Sequence, residues 1–419
     1  MIRYNNLTMS KQAQINWDVI IAGGGPAGFF AAIRAKEVNP NLRVLIIERS
    51  SQTLGKILIS GGGRCNVTHA CFDSSQLVNF YPRGSVELHG AFTRFQPADT
   101  VKWFAEHGVK LKTEADNRMF PVTDSSDTVA NCLRESANVA GVKVQTGATL
   151  LKVEKKTGGF DLEVREGAEV FPLHTKKILL ATGSDPKTRE MVKTLGHSIE
   201  EPVPSLFTFN VKDKRINGLA GVAIEDVTLK MDLLTQRGPL LITHWGLSGP
   251  VVLKLSAWGA RILFDKKYRS QITINWLGDY RHDSTLEVLK HNQNWHENSR
   301  KKISTQPAFS QIPVRLWKQL TQFIGDKNWG DISKVEMRKL AEELTMGQFE
   351  VTGKGIFKEE FVTCGGVKLS EIDFKTMQSR IVDNLFFAGE VLDIDGVTGG
   401  FNFQASWTTG WLAGSAMGC

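Results

Sequence analysis

The sequence has few cysteines, and their arrangement builds no recognisable site. The five cysteines stand at positions 65, 71, 132, 364 and 419, and they form no Cys-x-x-Cys pair and no zinc-type spacing. A sparse, odd-numbered set of thiols is typical of a reducing compartment and argues against the disulfide framework of a secreted protein. We therefore expect a cytoplasmic protein without a metal site.

Long hydrophobic stretches, internal repeats and low-complexity segments are also missing from the sequence. No run approaches the roughly 20 apolar residues that a membrane-spanning helix needs, so no membrane association is expected. The first 16 residues are polar and contain no apolar signal core. We expect residues 1–16 to be disordered or irregular and to carry no targeting signal.

Acidic residues are outnumbered by basic ones. Across 419 residues, 51 Lys and Arg side chains stand against 44 Asp and Glu side chains, which gives a net charge of +7. A positive balance can attract nucleic acids, anionic membranes or anionic cofactors. The densest basic segment, Arg300-Lys301-Lys302, is short and has no flanking ladder of aromatic residues. The sequence therefore favours a solvated basic surface over a nucleic-acid partner.

The change of pattern along the chain predicts a discontinuous α/β domain with a two-part insert. Apolar strands and helices occur at both ends of the sequence, whereas short alternating segments follow Pro204 and a helical pattern follows residue 281. We predict an α/β domain of residues 17–205 and 362–419, a β-barrel-like insert of residues 206–280 and 347–361, and a helical insert of residues 281–346. In the helical insert, Ser333 and Glu336 form a candidate capping box.

A glycine-rich turn follows the first predicted strand, residues 17–22, and opens a helix. In the pattern Gly-x-Gly-x-x-Gly, the first glycine permits the turn, the second lets the backbone approach a pyrophosphate, and the third allows close helix–strand packing. The helix N-terminus adds N–H groups and partial positive charge. Glu48, 20 residues after Gly28, is placed to bind a ribose hydroxyl, which disfavours a 2′-phosphate. The turn predicts a dinucleotide, but it does not separate FAD from NAD.

Two later segments favour FAD over NAD. Ala181-Thr182-Gly183 resembles a strand end found in two-dinucleotide flavoproteins, and residues 385–390 resemble their C-terminal strand, where a glycine and an acid meet the ribityl chain. Residues 399–402 could then place backbone N–H groups against the flavin ring, before a closing helix that we expect from Gln404.

A third glycine cluster lies at residues 61–63, between Lys56 and Arg64. Three glycines flanked by basic side chains suit a loop that wraps an anion or a flat ring. A mobile surface loop is the alternative interpretation.

The segment Ser60-Gly-Gly-Gly-Arg-Cys-Asn-Val-Thr68 resembles the signature of the aminoacetone-oxidase-type, or BaiN-like, flavoproteins. Five further segments resemble segments of the same family and occur in the same order. They are residues 117–121, 243–250, 363–367, 376–379 and 387–402. The resemblance covers about residues 17–415. His69 and Asn117 depart from the family pattern, which commonly has Asn and Gly there. The resemblance implies a Rossmann-like FAD-binding domain of the two-dinucleotide type with an inserted β-barrel and helical subdomain. It also implies a flavin pocket that includes Lys56, Arg64, Cys65, Asn66, Glu390, Asp395 and residues 400–402.

The motifs and the resemblance together give one set of candidate cofactor-binding residues. They are Gly23, Gly25, Pro26, Ala27, Gly28, Glu48, Arg49, Lys56, Gly62, Arg64, Cys65, Asn66, Thr182, Gly183, Gly389, Glu390, Asp395, Gly400, Phe401 and Asn402. We expect FAD to be bound tightly and without a covalent link. No second Gly-x-Gly-x-x-Gly occurs, so NAD(P)H as electron partner would dock transiently, and molecular oxygen is the other expected partner.

The functional hypothesis is an FAD-dependent oxidoreductase that transfers hydride between the flavin and a small organic substrate. The alternatives are an FAD-dependent RNA-modifying protein and a flavin redox sensor without turnover. No catalytic residue and no oligomeric state is predicted. His244 could act as an acid or base, but a structural histidine is favoured, and for Cys65 and Cys364 we favour packing over redox chemistry.

Overall fold

A computed structural model describes residues 17–355 and 362–419 of the chain. The expectation for residues 1–16, and the part of the barrel prediction that falls on residues 356–361, lie outside the described residues. The described chain divides into two compact units. One contains residues 17–202 and 363–419, and the other contains residues 203–355 and Val362.

The first unit is built on a nine-stranded sheet whose centre is parallel. Trp17–Ala22 pairs in parallel with Val44–Glu48 on one side and with Glu169–Leu180 on the other, so that Ile21 faces Ile46 and Leu179. These strands are apolar throughout because both faces of a parallel sheet are covered. The order along the sheet is Ile372–Asp373, Gln378–Ser379, Leu385–Phe387, Glu169–Leu180, Trp17–Ala22, Val44–Glu48 and Lys143–Thr146.

Smaller strands complete this unit. Ala148–Lys156 and Gly159–Glu166 form a hairpin that continues in antiparallel pairing onto the first half of Glu169–Leu180. A separate three-stranded sheet contains Thr68–His69, Arg118–Pro121 and Leu111–Thr113. Ile199–Ser205 and Val362–Val367 pair as a two-stranded sheet.

The α-helices of the first unit are Pro26–Val38, Gly55–Ile59, Ser74–Leu77, Ser85–Phe92, Pro97–Glu106, Ser126–Val139, Pro186–Thr194 and Phe401–Gly418. Short 3-10 helices cover Ser60–Gly63, Val78–Phe80 and Leu369–Glu371. The first and last helices lie side by side because Gly410 and Gly414 of the last helix approach the backbone of Ala27 and Ala31 in the first. This packing brings residues from both ends of the chain to the same edge of the sheet.

The second unit contains a closed six-stranded barrel. Its strands follow the order Phe209–Val211, Gly246–Ser248, Leu234–Thr243, Ala223–Met231, Ser270–Asn275 and Gly347–Lys354, and the last pairs with the first. Alternating residues such as Ile272 and Ile274 point into an apolar core. The predicted barrel insert is therefore confirmed.

The remaining elements of the second unit are helical. The α-helices are Pro250–Trp258, Ala260–Asp265, His282–Asn294, His296–Ser299, Val314–Leu320 and Lys334–Met346, and 3-10 helices cover Ile303–Thr305, Gln322–Ile324 and Trp329–Asp331. The predicted capping box is present, since Ser333 Oγ accepts from Glu336 N–H at 3.2 Å and Glu336 accepts from Ser333 N–H at 2.9 Å. Within the described ranges, no helix is both long and apolar enough to cross a membrane.

Candidate functional site

The N-terminal glycine turn has two glycines that the fold requires and one that faces open space. Gly23 has a φ of +113°, and a Cβ on it would overlap the carbonyl oxygen of Ala181. A Cβ on Gly28 would overlap the carbonyl oxygen of Gly23, so the helix can approach the strand only without a side chain. Among the residues that the structure describes, none has an atom within 4 Å of a Cβ built on Gly25. The surface beside Gly25 is therefore open to the close approach of a ligand.

The helix Pro26–Val38 points its N-terminus at this open surface. Pro26 occupies the first turn, where its missing N–H costs nothing, and Gly25 precedes it in an extended conformation. Beside the turn, the Glu48 carboxylate accepts from Gly24 N–H at 2.7 Å and from Ser50 N–H at 2.7 Å. The Glu48 carboxylate is thus held at the glycine turn by backbone donors, and its contact with a ribose hydroxyl stays a prediction.

A second group of candidates meets where the central strands end. Lys56 Nζ forms an ion pair with Glu390 Oε2, although 334 residues separate them. A Cβ built on Gly183 would lie 3.9 Å from both of these charged atoms. The Thr182 hydroxyl is buried and has no hydrogen-bond partner among the described residues. Both features fit a bound dinucleotide. The ligand could form a hydrogen bond with the Thr182 hydroxyl, and it could approach the backbone closely at Gly25.

Arg49 and Gly389 lie at the edges of this region. Arg49 Nη1 contacts Asp185 Oδ1 at 2.8 Å and is largely exposed. Gly389 donates its N–H to Thr409 Oγ1 at 3.0 Å, and a Cβ on it would come within 3.0 Å of the Ala27 Cβ. Gly389 therefore lets the C-terminal strand end and the first helix approach each other.

The triple-glycine loop, residues 60–66, adjoins the start of the last helix. With its amide oriented to satisfy both groups, Asn66 donates to the Thr68 carbonyl and accepts from Gly400 N–H, each at 3.0 Å. Gly400 has a φ of +92°, and a Cβ on it would overlap the Thr68 backbone. Gly62 faces open space. Two glycine motifs more than 330 residues apart in sequence thus form one surface.

The last helix begins earlier than expected. It starts at Phe401 rather than at Gln404, because Gly400 in the left-handed region ends the preceding loop and caps the helix. Phe401 stacks on Phe80, with ring centroids 4.4 Å apart. Asn402 accepts from Gly396 N–H at 2.8 Å and donates to the Gly396 carbonyl at 2.9 Å. The first turn of the helix is therefore fixed by its own side chains.

Two charged candidates already have partners within the protein. Arg64 pairs with Glu114 at 2.7 Å and lies over the Phe120 ring, 4.0 Å from its centroid. Asp395 is fully buried and forms a two-point ion pair with Arg83. These side chains stabilise the loops around the site, and their charges are matched before any ligand arrives.

Both cysteines beside the glycine motifs are buried. Cys65 is fully buried, and burial raises the pKa of its thiol to about 12. Cys364 is also fully buried. Burial in apolar surroundings favours the neutral thiol, so Cys65 acts in packing rather than as a nucleophile.

A polar network under the last helix was not anticipated from the sequence. Gln404 Oε1 accepts from Thr68 Oγ1 at 2.6 Å and from Thr100 Oγ1 at 2.9 Å. Trp407 Nε1 donates to the Val67 carbonyl at 2.9 Å. These bonds attach the segment after the triple-glycine loop to the helix. The only sequence signal is that polar residues occur in an otherwise apolar helix.

His244 belongs to the second unit and lies in the turn between Leu234–Thr243 and Gly246–Ser248. Its ring is exposed and contacts the Trp245 ring edge to face, with centroids 4.4 Å apart. An acid or base role for His244 stays a prediction.

Comparison with known proteins gives matches over nearly the whole chain. A family profile described as "HI0933-like protein Rossmann domain" matches residues 17–416. The "Ribosomal RNA dihydrouridine synthase" of Escherichia coli is 28% identical over 94% of this chain and 96% of its own length. The "3-dehydro-bile acid delta(4,6)-reductase" of Clostridium scindens is 26% identical over 94% of this chain and 98% of its own length.

A solved structure shows the same fold. The 3-ketosteroid-delta4-(5alpha)-dehydrogenase from Rhodococcus jostii RHA1 superposes with a TM-score of 0.54 at 13% sequence identity, and the alignment covers 100% of each chain. The predicted Rossmann-like flavoprotein fold is confirmed.

Proposed function

This chain belongs to the family of the HI0933-like protein Rossmann domain, and from that premise we propose that it reduces carbon–carbon double bonds conjugated to a carbonyl group. It is an FAD-binding oxidoreductase. That it works as a reductase, on such acceptors and with NAD(P)H as electron donor, is our proposal.

The observation that carries the proposal is the chemistry shared by two unlike relatives. One is named as a dihydrouridine synthase that acts on ribosomal RNA, and the other as a reductase of a 3-dehydro bile acid. Dihydrouridine is uridine with two hydrogens added across the 5,6 double bond, which is conjugated to a ring carbonyl. A delta-4 double bond is conjugated to a 3-keto group in the same way. Two relatives of similar identity are thus named for acceptors that share a carbon–carbon double bond conjugated to a carbonyl group.

The adenosine half of FAD would occupy the N-terminal glycine turn. The pyrophosphate would approach Gly25 and accept from the N–H groups of Ala27 and Gly28 in the first turn of the helix, while Pro26, which has no N–H, would contribute only its fixed backbone conformation. Glu48 would accept from a ribose hydroxyl, since each of its oxygens keeps a further lone pair beyond its backbone contact. The buried Thr182 hydroxyl would gain the partner that it otherwise lacks.

The flavin half would lie toward the triple-glycine loop and the last helix. Lys56 and Glu390 would bind the ribityl hydroxyls, and Gly62 and Gly400 would leave room for the ring. Reduced FAD bound there would supply the hydride that adds at the β-carbon of the acceptor, and a proton from solvent would complete the addition at the α-carbon. The N-terminus of the last helix would stabilise negative charge at the edge of the ring.

We propose NAD(P)H as the electron donor. The chain has a single Gly-x-Gly-x-x-Gly turn, so the nicotinamide cofactor would dock over the flavin without a nucleotide-binding domain of its own. This arrangement predicts a high Kd for NAD(P)H and reduction in a bimolecular encounter.

Two acceptor classes follow from the relatives, a uridine in RNA and a small enone. RNA is the first candidate because a relative is named for ribosomal RNA, and phosphates would be attracted to a protein with a net charge of +7. The apolar bile-acid type of acceptor is the second candidate, because the relative that reduces it is almost as similar to this chain.

The test is anaerobic flavin spectroscopy of the purified holoprotein. NADH or NADPH should bleach the flavin, and the colour should return on addition of uridine-containing RNA or of a cyclic enone, with one equivalent of reduced product. Protein reduced by light should respond to the acceptors in the same way, which separates the donor from the acceptor step. A reduced flavin that stays reduced with both acceptors and is reoxidised only by oxygen contradicts the reductase proposal.

A further inference from the structure

The positive charge of this protein is concentrated in one unit. Residues 203–355 contain 22 Lys and Arg against 15 Asp and Glu, an excess of seven. That excess equals the net charge of the whole chain, +7, so the remaining residues carry equal numbers of acids and bases. The unit that holds the proposed cofactor site is therefore close to neutral, and the inserted unit is the basic one.

The barrel of this unit has a polar cleft of about 520 Å³ on its outer surface. Three side chains in the cleft lie side by side across adjacent strands, since Lys230 is opposite Thr273 and Thr273 is opposite Gln348 in the strand register. Their neighbours along each strand, such as Leu229 and Ile272, point into the barrel core. The outward row therefore consists of hydrogen-bonding groups on a rigid β surface.

The charges around the cleft are mostly positive and accessible. Lys266 pairs with Asp232 at 2.7 Å, so this acid is already neutralised. Lys230 and Arg269 are exposed, and neither has an acidic partner among the residues that the structure describes. Glu350 faces Gln271 in the register and marks the acidic border of the cleft. Two exposed cations, Lys230 and Arg269, thus lie in the cleft together with neutral hydrogen-bonding groups.

We propose that this cleft binds the sugar-phosphate backbone of RNA and holds the substrate strand. The proposal rests on the proposed reductase function. Exposed cations separated by hydroxyl and amide groups suit phosphates and ribose hydroxyls. An apolar acceptor finds little to bind, because the side chains that line the cleft are polar or charged. The cleft would contribute affinity and position, and the base would be selected elsewhere.

The experiment compares Lys230→Glu/Arg269→Glu with Lys318→Glu in the full-length holoprotein. Lys318 is an exposed lysine of the same unit, on the helix Val314–Leu320, and it is not part of the cleft. Binding of a fluorescein-labelled RNA hairpin is measured by anisotropy over a range of salt concentrations. At low salt, the double variant should bind the RNA at least about tenfold more weakly than the wild type. The negative slope of log K against log salt should become shallower by about two. Lys318→Glu should change both values much less.

Reduction of a cyclic enone by the same variants separates this proposal from the reductase proposal. We expect the double variant to keep wild-type FAD content and enone reduction. Wild-type RNA affinity and salt slope in the double variant would overturn the cleft proposal and leave the reductase proposal standing. Equal losses in the double variant and in Lys318→Glu would overturn it too, because they indicate a general effect of charge. If neither the wild type nor any variant reduces the enone or uridine, the reductase proposal fails. If RNA binding in the same proteins still depends on the cleft, the cleft proposal stands.

Discussion

At the residue scale, a buried histidine has the geometry of a hydrolytic triad without its accessibility. His197 Nδ1 lies 2.9 Å from Glu371 Oε2, and His197 Nε2 lies 2.8 Å from Ser379 Oγ. Ser379 is buried, and its Oγ also accepts from the N–H groups of Ile381 and Val382, at 2.9 and 2.8 Å. A serine oxygen that holds two backbone N–H groups is not free to attack a substrate. The three side chains therefore fix the edge of the sheet.

This histidine predicts a pH dependence of stability. Burial lowers the pKa of His197 below its ordinary value of 6.5, despite the opposing effect of Glu371. Because protonation is less favourable in the folded state, the stabilisation is present above pH 6.5 and is lost as the pH falls through the lower folded pKa. The free energy of unfolding in urea should decrease between pH 7.5 and 5.5, and His197→Gln should lessen that decrease. The exposed His296→Gln is the control. An unchanged pH dependence in His197→Gln would contradict this account.

The sequence predicted local backbone geometry within one short segment, whereas the cofactor contacts of that segment stay a prediction. Gly23, Gly28 and Glu48 belong to one β-α-β segment, in which motif spacing determines geometry. The partners of Arg64 and Asp395 could not be predicted in this way. Arg83, for example, pairs with an acid 312 residues away and belongs to no motif. A single sequence does not show which acid pairs with which base when neither residue belongs to a motif.

At the scale of elements, the contact between the first and last helices depends on glycines. A Cβ on Gly414 would overlap the Ala31 carbonyl and approach the Arg34 Cβ at 2.7 Å. One helical turn earlier, a Cβ built on Gly410 would lie 2.7 Å from the carbonyl oxygen of Ala27. Since Ala27 lies within the N-terminal Gly-x-Gly-x-x-Gly segment, this contact also packs that segment against the helix that begins after Gly400.

Gly414→Ala should therefore destabilise the protein, although alanine is the better helix former. We expect a loss of about 1–3 kcal/mol from overpacking, together with weaker FAD retention. Gly90→Ala is the matched control, because Gly90 lies in the helix Ser85–Phe92 and its Cβ would meet open space. That change should stabilise by roughly 0.5–1 kcal/mol. Urea unfolding and FAD release on dilution measure both effects, and similar behaviour of the two variants would argue against the packing role.

The elements with clear boundaries in the sequence were predicted closely, and those inside the barrel region were not. The strand Trp17–Ala22 has the predicted bounds. The helices Pro250–Trp258 and Ala260–Asp265 lie in a region that the alternating pattern assigned to strands alone. They are short and apolar, and a short apolar segment does not distinguish a buried helix from a buried strand.

At the scale of the whole molecule, the order of the motifs was more informative than any single motif. The N-terminal turn alone left FAD and NAD open, and composition alone favoured a solvated basic surface. The resemblance over about residues 17–415 agrees with the family match over residues 17–416, and the predicted flavoprotein class is confirmed. The uneven distribution of charge became visible only when the structure divided the chain into units. A net charge gives no information about where the charge lies.

FAD should stabilise the whole first unit, because its proposed contacts come from residues 23–66, 182–183 and 389–402. A ligand that binds only the folded state adds stability, about 2.7 kcal/mol at 100 times its Kd. Removal of FAD should therefore lower the Tm, and added FAD should restore it. FMN lacks the adenosine half that the glycine turn and Glu48 would bind, so it should restore little. In the Glu48→Ala variant, added FAD should restore less of the Tm than in the wild type, because a contact with the adenosine half is lost. If FMN restores the Tm as well as FAD does, the N-terminal turn does not bind the cofactor.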